Sequence, residues 1–223
     1  MSLPKRNPPI FCVFDLDGTL INTAPTTIKV LNEMLIERGG VIHESKDFDR
    51  FLSTGGKDLV GAVLGCNSND LEGDIVEFRS RLSNITIPKS DIYSGITELL
   101  SRLQKHGNRL AVCTNKPQNL ALKTLDDVGL LEFFEIIIGS SETHKSKPDT
   151  EMLDLIQYQF ACKKSSMVCI GDSEIDQEMA HNACVDYVHL THGYGSVNTK
   201  ISMPIQVFSQ VDSMVYDFLI SRD

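Results

Sequence analysis

Five short apolar runs recur along the chain, at residues 10–14, 109–114, 136–139, 167–171 and 187–190, with a weaker sixth at 205–208. Most are continuous rather than alternating and are rich in Val, Ile, Phe and Cys. A strand with one face in water alternates apolar and polar residues. A strand that is apolar at nearly every position is covered on both faces, as in a parallel sheet between helical layers. Helical stripes lie between the runs: Ile96, Leu99, Leu100 and Leu103; Met152, Leu153, Ile156 and Phe160; Ile175, Met179 and Ala183; more loosely Ala121, Leu125 and Val128. Strand then helix, repeated, requires crossover connections and predicts an α/β fold with a doubly wound parallel sheet.

One stretch breaks that rhythm. Residues 24–91 contain no convincing strand. Ile28, Leu31 and Leu35 mark a helix, with Thr23 and Pro25 as start signals and Gly39-Gly40 as a stop. Leu59, Val60, Val63 and Leu64 mark a shorter helix, and Leu71, Ile75, Phe78 and Leu82 a third. The expected organisation is an α/β core of residues 1–22 and 90–223, interrupted by a helical unit at 23–89. The insertion begins at the carboxyl end of the first strand, where open α/β sheets bind ligands. It is therefore placed to act as a lid.

Composition narrows the partners. The 223 residues carry a formal net charge of −9, which argues against nucleic acid and anionic membranes, since both attract basic surfaces. No apolar run approaches the roughly 20 residues that span a bilayer. The six cysteines, Cys12, Cys66, Cys113, Cys162, Cys169 and Cys184, form no CxxC pair, and no histidine lies at zinc-ligand spacing from them. Cys12, Cys113 and Cys169 fall inside apolar runs and read as buried hydrophobes, which suits a reducing cytoplasm. Residues 1–9 carry Lys5 and Arg6 without a long apolar stretch behind them, so no secretory signal is expected.

Chemistry is concentrated where the strands end. Asp15-Leu16-Asp17-Gly18-Thr19-Leu20 follows the first run directly. A turn needs one such carboxylate and a glycine, and this one has two carboxylates at i, i+2. Residues at that spacing share a face on a strand and can aim at one point, which calls for a cation or a shared proton. The second run ends at Thr114-Asn115. The fourth ends at Gly171-Asp172-Ser173-Glu174-Ile175-Asp176, which puts Asp176 about one helical turn beyond Asp172. Lys147-Pro148 precedes the helix between the third and fourth runs. A parallel sheet gathers these groups along one edge. Hard carboxylate oxygens suit Mg²⁺, and helix N-termini with Lys147 suit a phosphate, so together they describe a Mg²⁺-dependent phosphoryl-transfer site.

In order and spacing, DLDGTL after an apolar strand, CTN, a downstream Lys-Pro and GDSEID resemble the four motifs of the haloacid dehalogenase superfamily. Within it the chain looks like the phosphoglycolate phosphatase-like subgroup, with the helical insertion as its C1 cap. The resemblance implies that Asp15 is the nucleophile that forms an aspartyl-phosphate, and that Asp17 is the acid and then the base. Asp15, the Asp17 backbone carbonyl and Asp172 would hold Mg²⁺. Thr114 and Lys147 would bind the phosphoryl oxygens. Asp176 would orient the metal's waters or Lys147, Asn115 would position phosphate or substrate, and Gly18 would let the chain turn. Dehalogenases of the superfamily lack an equivalent of Asp17, so its presence implies phosphate esters or phosphosugars. Ile21-Asn22-Thr23 stands where the family usually continues Val-Asp-Ser. Lys145 competes with Lys147 for the catalytic assignment, and Pro148 favours Lys147. The turn at residues 53–57, with Thr54, Gly55, Gly56 and Lys57, is the candidate for substrate contact. The expected partner is a small phosphorylated metabolite. A β-phosphoglucomutase-type mutase, and a pyrophosphatase or nucleotidase of the same fold, are the alternatives. A non-enzymatic receiver-like domain fits less well, since receivers lack DxDGT and an inserted cap.

Overall fold

The structure is a computed structural model, and it describes residues 10–221. Residues 1–9, with the readings placed on them, residues 222–223, and the Cys66 side chain lie outside the described residues. The strands are β1 (Phe11–Phe14), β2 (Arg109–Pro117), β3 (Ile136–Ser140), β4 (Met167–Gly171), β5 (Asp186–Leu190) and β6 (Gln206–Phe208). All pair in parallel, in the order β3-β2-β1-β4-β5-β6.

The helices are α1 (Ala24–Glu37), α2 (Asp49–Leu52), α3 (Gly56–Leu64), α4 (Leu71–Ser83), α5 (Ile96–His106), α6 (Gln118–Val128), α7 (Glu151–Phe160), α8 (Glu174–Ala183) and α9 (Ser213–Ile220). The two-residue period of β1 divides its side chains between two cores. Cys12 and Phe14 join residues of α5, α6 and α9, whereas Phe11 and Val13 join residues of α7 and α8. Both faces are thus covered, which is why these strands read as continuous apolar runs. Full burial of a side chain such as Phe14 or Leu100 contributes roughly 1.5–3 kcal/mol.

Two helices escape the periodicity reading. The four-residue α2 is a single turn, too short to show a stripe. In α9 the two buried residues, Val215 and Leu219, make too brief a pattern. That helix is held by its surroundings: Asp212 accepts the Met214 N–H at 2.8 Å as N-cap, and the Arg102 guanidinium of α5 lies 3.9 Å from the Tyr216 ring centroid. No helix among the described residues is long and apolar enough to cross a membrane.

The order of the sheet positions the site. The chain leaves β1 for β2 on one side and returns through α7 to β4 on the other. The sheet therefore has its switch point between β1 and β4, where a crevice opens at the carboxyl ends. Phe14 is level with Val112 of β2 and Ile170 of β4, so Asp15 emerges where β4 ends at Gly171, while β2 runs on to Pro117. Above this edge, α1–α4 pack around a core of their own that includes Leu31, Met34, Val60, Val63, Ile75 and Phe78. Two connecting segments run side by side where this unit meets the sheet. Asn22 N–H donates to Asp91 O at 2.7 Å, and Tyr93 N–H donates to Leu20 O at 3.1 Å.

Candidate active site

Asp15 is 7% exposed at the end of β1, and its N–H donates to Ile170 O across the switch point at 2.9 Å. Lys147 comes from the loop before α7, with its side chain 3% exposed. Its ammonium donates to Asp15 Oδ1 at 2.6 Å and to Asp176 Oδ1 at 2.5 Å. Asp176 is fixed independently by the capping box of α8. Ser173 Oγ donates to Asp176 Oδ2 at 2.6 Å, and the Asp176 N–H returns to Ser173 Oγ at 3.3 Å. Asp172, fully buried in the turn before α8, accepts the Thr19 hydroxyl on Oδ1 at 2.7 Å and the Tyr194 N–H on Oδ2 at 2.8 Å. Carboxylate oxygens of Asp15, Asp172 and Asp176 all lie within 4.8 Å of one another.

The chain closes tightly around this cluster. Gly18 has φ +88°, and a Cβ there would lie 2.5 Å from Asp172 Oδ2. At Gly193 it would lie 2.2 Å from the same oxygen. Only glycine admits both backbones.

Three buried carboxylates face one buried ammonium, an uncompensated arrangement that shows in the proton affinities. Burial raises Asp15 well above the carboxylate range; Asp176 and Asp172 add to the rise and Lys147 opposes it. Burial, with Asp176 beside it, pushes Asp172 up to about 7 against the Thr19 and Tyr194 bonds and the Lys147 charge. For Lys147, burial works against the ammonium, but Asp15 and Asp176 outweigh it and the net shift is upward. Surplus negative charge on closely spaced hard oxygens fits a divalent cation, so this cluster could hold a metal ion.

A cavity lies between the cluster and the helical unit. Asp15, Asp17, Thr114, Asn115 and Lys116 form its floor, and Leu52, Ser53, Gly55, Gly56, Leu59, Phe78 and Arg79 line it from above. The structure thus gathers Asp15, Asp17, Gly18, Thr114, Asn115, Lys147, Asp172 and Asp176 along one edge. Lys145 and Lys147 differ by position: the Lys145 side chain is 74% exposed and pairs with Asp149, whereas Lys147 is buried on Asp15.

Three placements add to or differ from the expectations, and Asn115 and Asp17 still line the cavity. Thr54 and Lys57 do not line the cavity: the Thr54 hydroxyl donates to Phe51 O at 2.9 Å, and Lys57 pairs with Glu72 in solvent at 3.3 Å. The Asn115 amide serves the backbone. It accepts the Lys147 N–H at 2.8 Å, donates to Lys147 O at 3.2 Å, and reaches Ser53 O of the helical unit at 3.4 Å. Asp17 turns its carboxylate away from the buried trio, to Lys116 Nζ at 2.9 Å and the Thr23 hydroxyl at 2.5 Å.

Lys116 is the residue that the motif pattern overlooks. Its signal is present, because Thr114 and Lys116 have the same i, i+2 spacing as Asp15 and Asp17. Ser53 lies in the candidate turn at 53–57, whereas Arg79 has no such signal. Arg79 directly follows a member of the α4 apolar stripe, and its approach to the cavity depends on how that helix lies over the sheet. The Ser53 hydroxyl oxygen is buried without a hydrogen-bond partner.

A carboxylate cluster with one buried cation lies at the switch point of a parallel sheet and beneath a helical unit, the place where α/β enzymes of this topology bind their ligands. The chain belongs to the haloacid dehalogenase-like hydrolases, matching that family over residues 12–190. It is 33% identical over 186 residues to a phosphoglycolate phosphatase of Rhodobacter capsulatus, a match covering 82% of this chain and 84% of that one. The fold is shared with a haloacid dehalogenase-like family hydrolase of Streptococcus pneumoniae, with a TM-score of 0.80 and 19% identity over 94% of this chain and 98% of that one. It is also shared with a β-phosphoglucomutase of Clostridium difficile, with a TM-score of 0.74 and 16% identity over 96% and 97%.

Proposed function

We propose that the protein is a Mg²⁺-dependent phosphatase that hydrolyses a small phosphate monoester through phospho-Asp15. The observation that carries this reading is Asp15 itself: a buried carboxylate held by Lys147 at 2.6 Å, facing the same cavity as Asp17. An Asp15 oxygen attacks phosphorus, the bond to the leaving oxygen breaks, and Asp17 supplies the proton that the leaving alcohol needs. Water then attacks phosphorus, Asp17 takes its proton, and the bond to Asp15 breaks to release phosphate. Lys147 offsets charge on Asp15 and on the phosphoryl oxygens. Thr114 Oγ accepts the Lys116 N–H at 3.2 Å, which leaves its own proton to donate to a phosphoryl oxygen. Mg²⁺ on Asp15, Asp172 and the Asp17 carbonyl, with Asp176 beside them, would supply charge neutralisation. Residues 23–89 serve as the cap that excludes water.

A phosphoglycolate-like substrate suits the upper wall. Such a molecule carries a carboxylate beyond its phosphate, and the cavity roof offers Arg79 and the unpartnered Ser53 hydroxyl among apolar side chains. The relatives named phosphoglycolate phosphatase support the same substrate. Cys113 and Cys169 are buried thiols outside any disulfide, which supports a cytoplasmic location. A Mg²⁺-dependent phosphate-release screen over phosphorylated metabolites tests the proposal, with phosphoglycolate expected among the best substrates. Isomerisation of a sugar phosphate without phosphate release would instead establish a mutase. Arg79→Ala should raise KM for phosphoglycolate about 10–100-fold, the worth of a charge-assisted hydrogen bond. It should leave an aryl phosphate without a carboxylate nearly unaffected. Equal losses on both substrates would remove Arg79 from substrate recognition.

The proton affinities predict a pH-dependent need for the ion. A carboxyl whose folded pKa is about 7 contributes its stability fully below the unfolded value near 3.9 and loses it as pH rises to about 7. Ion-free protein should therefore melt several degrees lower at pH 8 than at pH 5. Mg²⁺ displaces that proton, so its stabilisation should be larger at pH 8. Calorimetry in chelator and in Mg²⁺ measures both effects, and Asp172→Asn should flatten the pH difference.

A further inference from the structure

The segment from His192 to Tyr194, just after β5, touches both the acidic cluster and the joint beneath α1–α4. The His192 ring stacks on Tyr93 with centroids 4.0 Å apart, and its Nε2 donates to Thr19 O at 3.1 Å. The Thr19 hydroxyl and the Tyr194 N–H hold the two oxygens of Asp172. The Tyr194 side chain then leaves the cluster for the joint. Its hydroxyl donates to Asn22 Oδ1 at 3.1 Å and accepts the Ala24 N–H, the first of α1, at 3.0 Å, while the ring packs against the core of the helical unit. Asn22 is also the residue whose N–H bonds Asp91 O across the two connecting segments. One residue therefore grips Asp172 with its main chain and the joint with its side chain. Gly193, the residue before it, passes so close to Asp172 that a Cβ there would lie 2.2 Å from Oδ2.

We propose that Tyr194 is a positioning residue that couples the angle of the helical cap to the placement of Asp172. Swinging the cap requires backbone rotation at residues 21–24 and 91–93, which carries Asn22 Oδ1 and Ala24 N away from the Tyr194 hydroxyl. Either those bonds break or the tyrosine follows and draws its N–H off Asp172. Fixing Asp172 thus favours the closed joint, and by reciprocity closing the joint favours whatever Asp172 holds. This purpose rests on the phosphatase reading, but the coupling can be measured without any substrate.

The test compares wild type with Tyr194→Phe, which keeps the ring and the main-chain N–H but loses the hydroxyl. Hydrogen exchange at the Asn22 and Tyr93 amides is followed with and without Mg²⁺, relative to amides of β4. In the wild type Mg²⁺ should slow the joint amides at least about tenfold, and in Tyr194→Phe less than about threefold. Calorimetry should show Mg²⁺ binding to Tyr194→Phe weakened by a similar factor. Asn22→Asp keeps an acceptor and should retain the slowing, whereas Asn22→Leu should lose it. This pair tests the same coupling from the other side of the hydrogen bond if Tyr194→Phe folds poorly. Equal slowing in wild type and Tyr194→Phe, or none in the wild type, would overturn the proposal. Slowing as expected in a protein that releases no phosphate from any ester would sink the phosphatase reading and leave the coupling standing.

Discussion

Asp15→Asn should lower kcat for phosphate-ester hydrolysis by at least about 10³-fold, the scale of losing a nucleophile, while the protein stays folded. The amide is close in shape to the carboxylate and still offers an oxygen to Lys147 Nζ, which lies 2.6 Å from Asp15 Oδ1. The change also removes one of three mutually repelling buried carboxylates, so the ion-free variant should melt no lower than wild type at pH 8. Turnover of an aryl phosphate and a melting curve check both parts. Acid-quenched wild type should carry a phosphoryl group on the peptide containing Asp15, and the variant should not. Full turnover by a folded Asp15→Asn variant would eliminate the covalent mechanism.

Lys147→Met should destabilise the ion-free protein by about 3–5 kcal/mol at neutral pH, the cost of removing one partner from a buried ion pair. The side chain is 3% exposed and is the ammonium that bonds both Asp15 and Asp176. Methionine fills much of the volume, so the loss reports charge more than packing. Urea unfolding at pH 5 and pH 8 gives the sharper check. Asp15 and Asp172 take up protons more readily than exposed carboxylates, so the penalty should shrink at the lower pH. With Mg²⁺ present, much of the stability should return, but kcat should remain down about 10²–10³-fold, because no cation faces the phosphoryl oxygens from that side. A penalty that is the same at both pH values would mean that Lys147 acts through packing.

The parts of this site legible in the sequence are those carried by local pattern. The runs at 10–14 and 167–171 end in Asp15 and Asp172, and continuous apolar runs are strands covered on both faces whatever the rest of the chain does. The i, i+2 spacing of Asp15 and Asp17 identified the pair as chemistry. It did not reveal that the two carboxylates part company, Asp15 to Lys147 and Asp17 to Lys116. Asn115 shows the same limit. Its place just past the apolar run at 109–114 suggested a ligand contact, whereas its bonds to the Lys147 backbone depend on how the loop before α7 settles over the sheet edge. In the turn at 53–57, sequence marked a region and geometry chose within it: Ser53, Gly55 and Gly56 line the cavity, and Thr54 and Lys57 do not.

By itself, the sequence determined the strand and helix periods, the parallel sheet, the helical insertion after β1 and the acidic residues at strand ends. Each of these follows from which side chains stand two, three or four positions apart, a property of the chain before it folds. The tertiary structure alone decided which cation faces which carboxylate, that Arg79 roofs the cavity, and that Tyr194 links Asp172 to the joint at Asn22. Those contacts join residues up to 172 positions apart. They exist only once sheet order and helix packing have brought separate strand ends to one edge, and no local spacing encodes that distance.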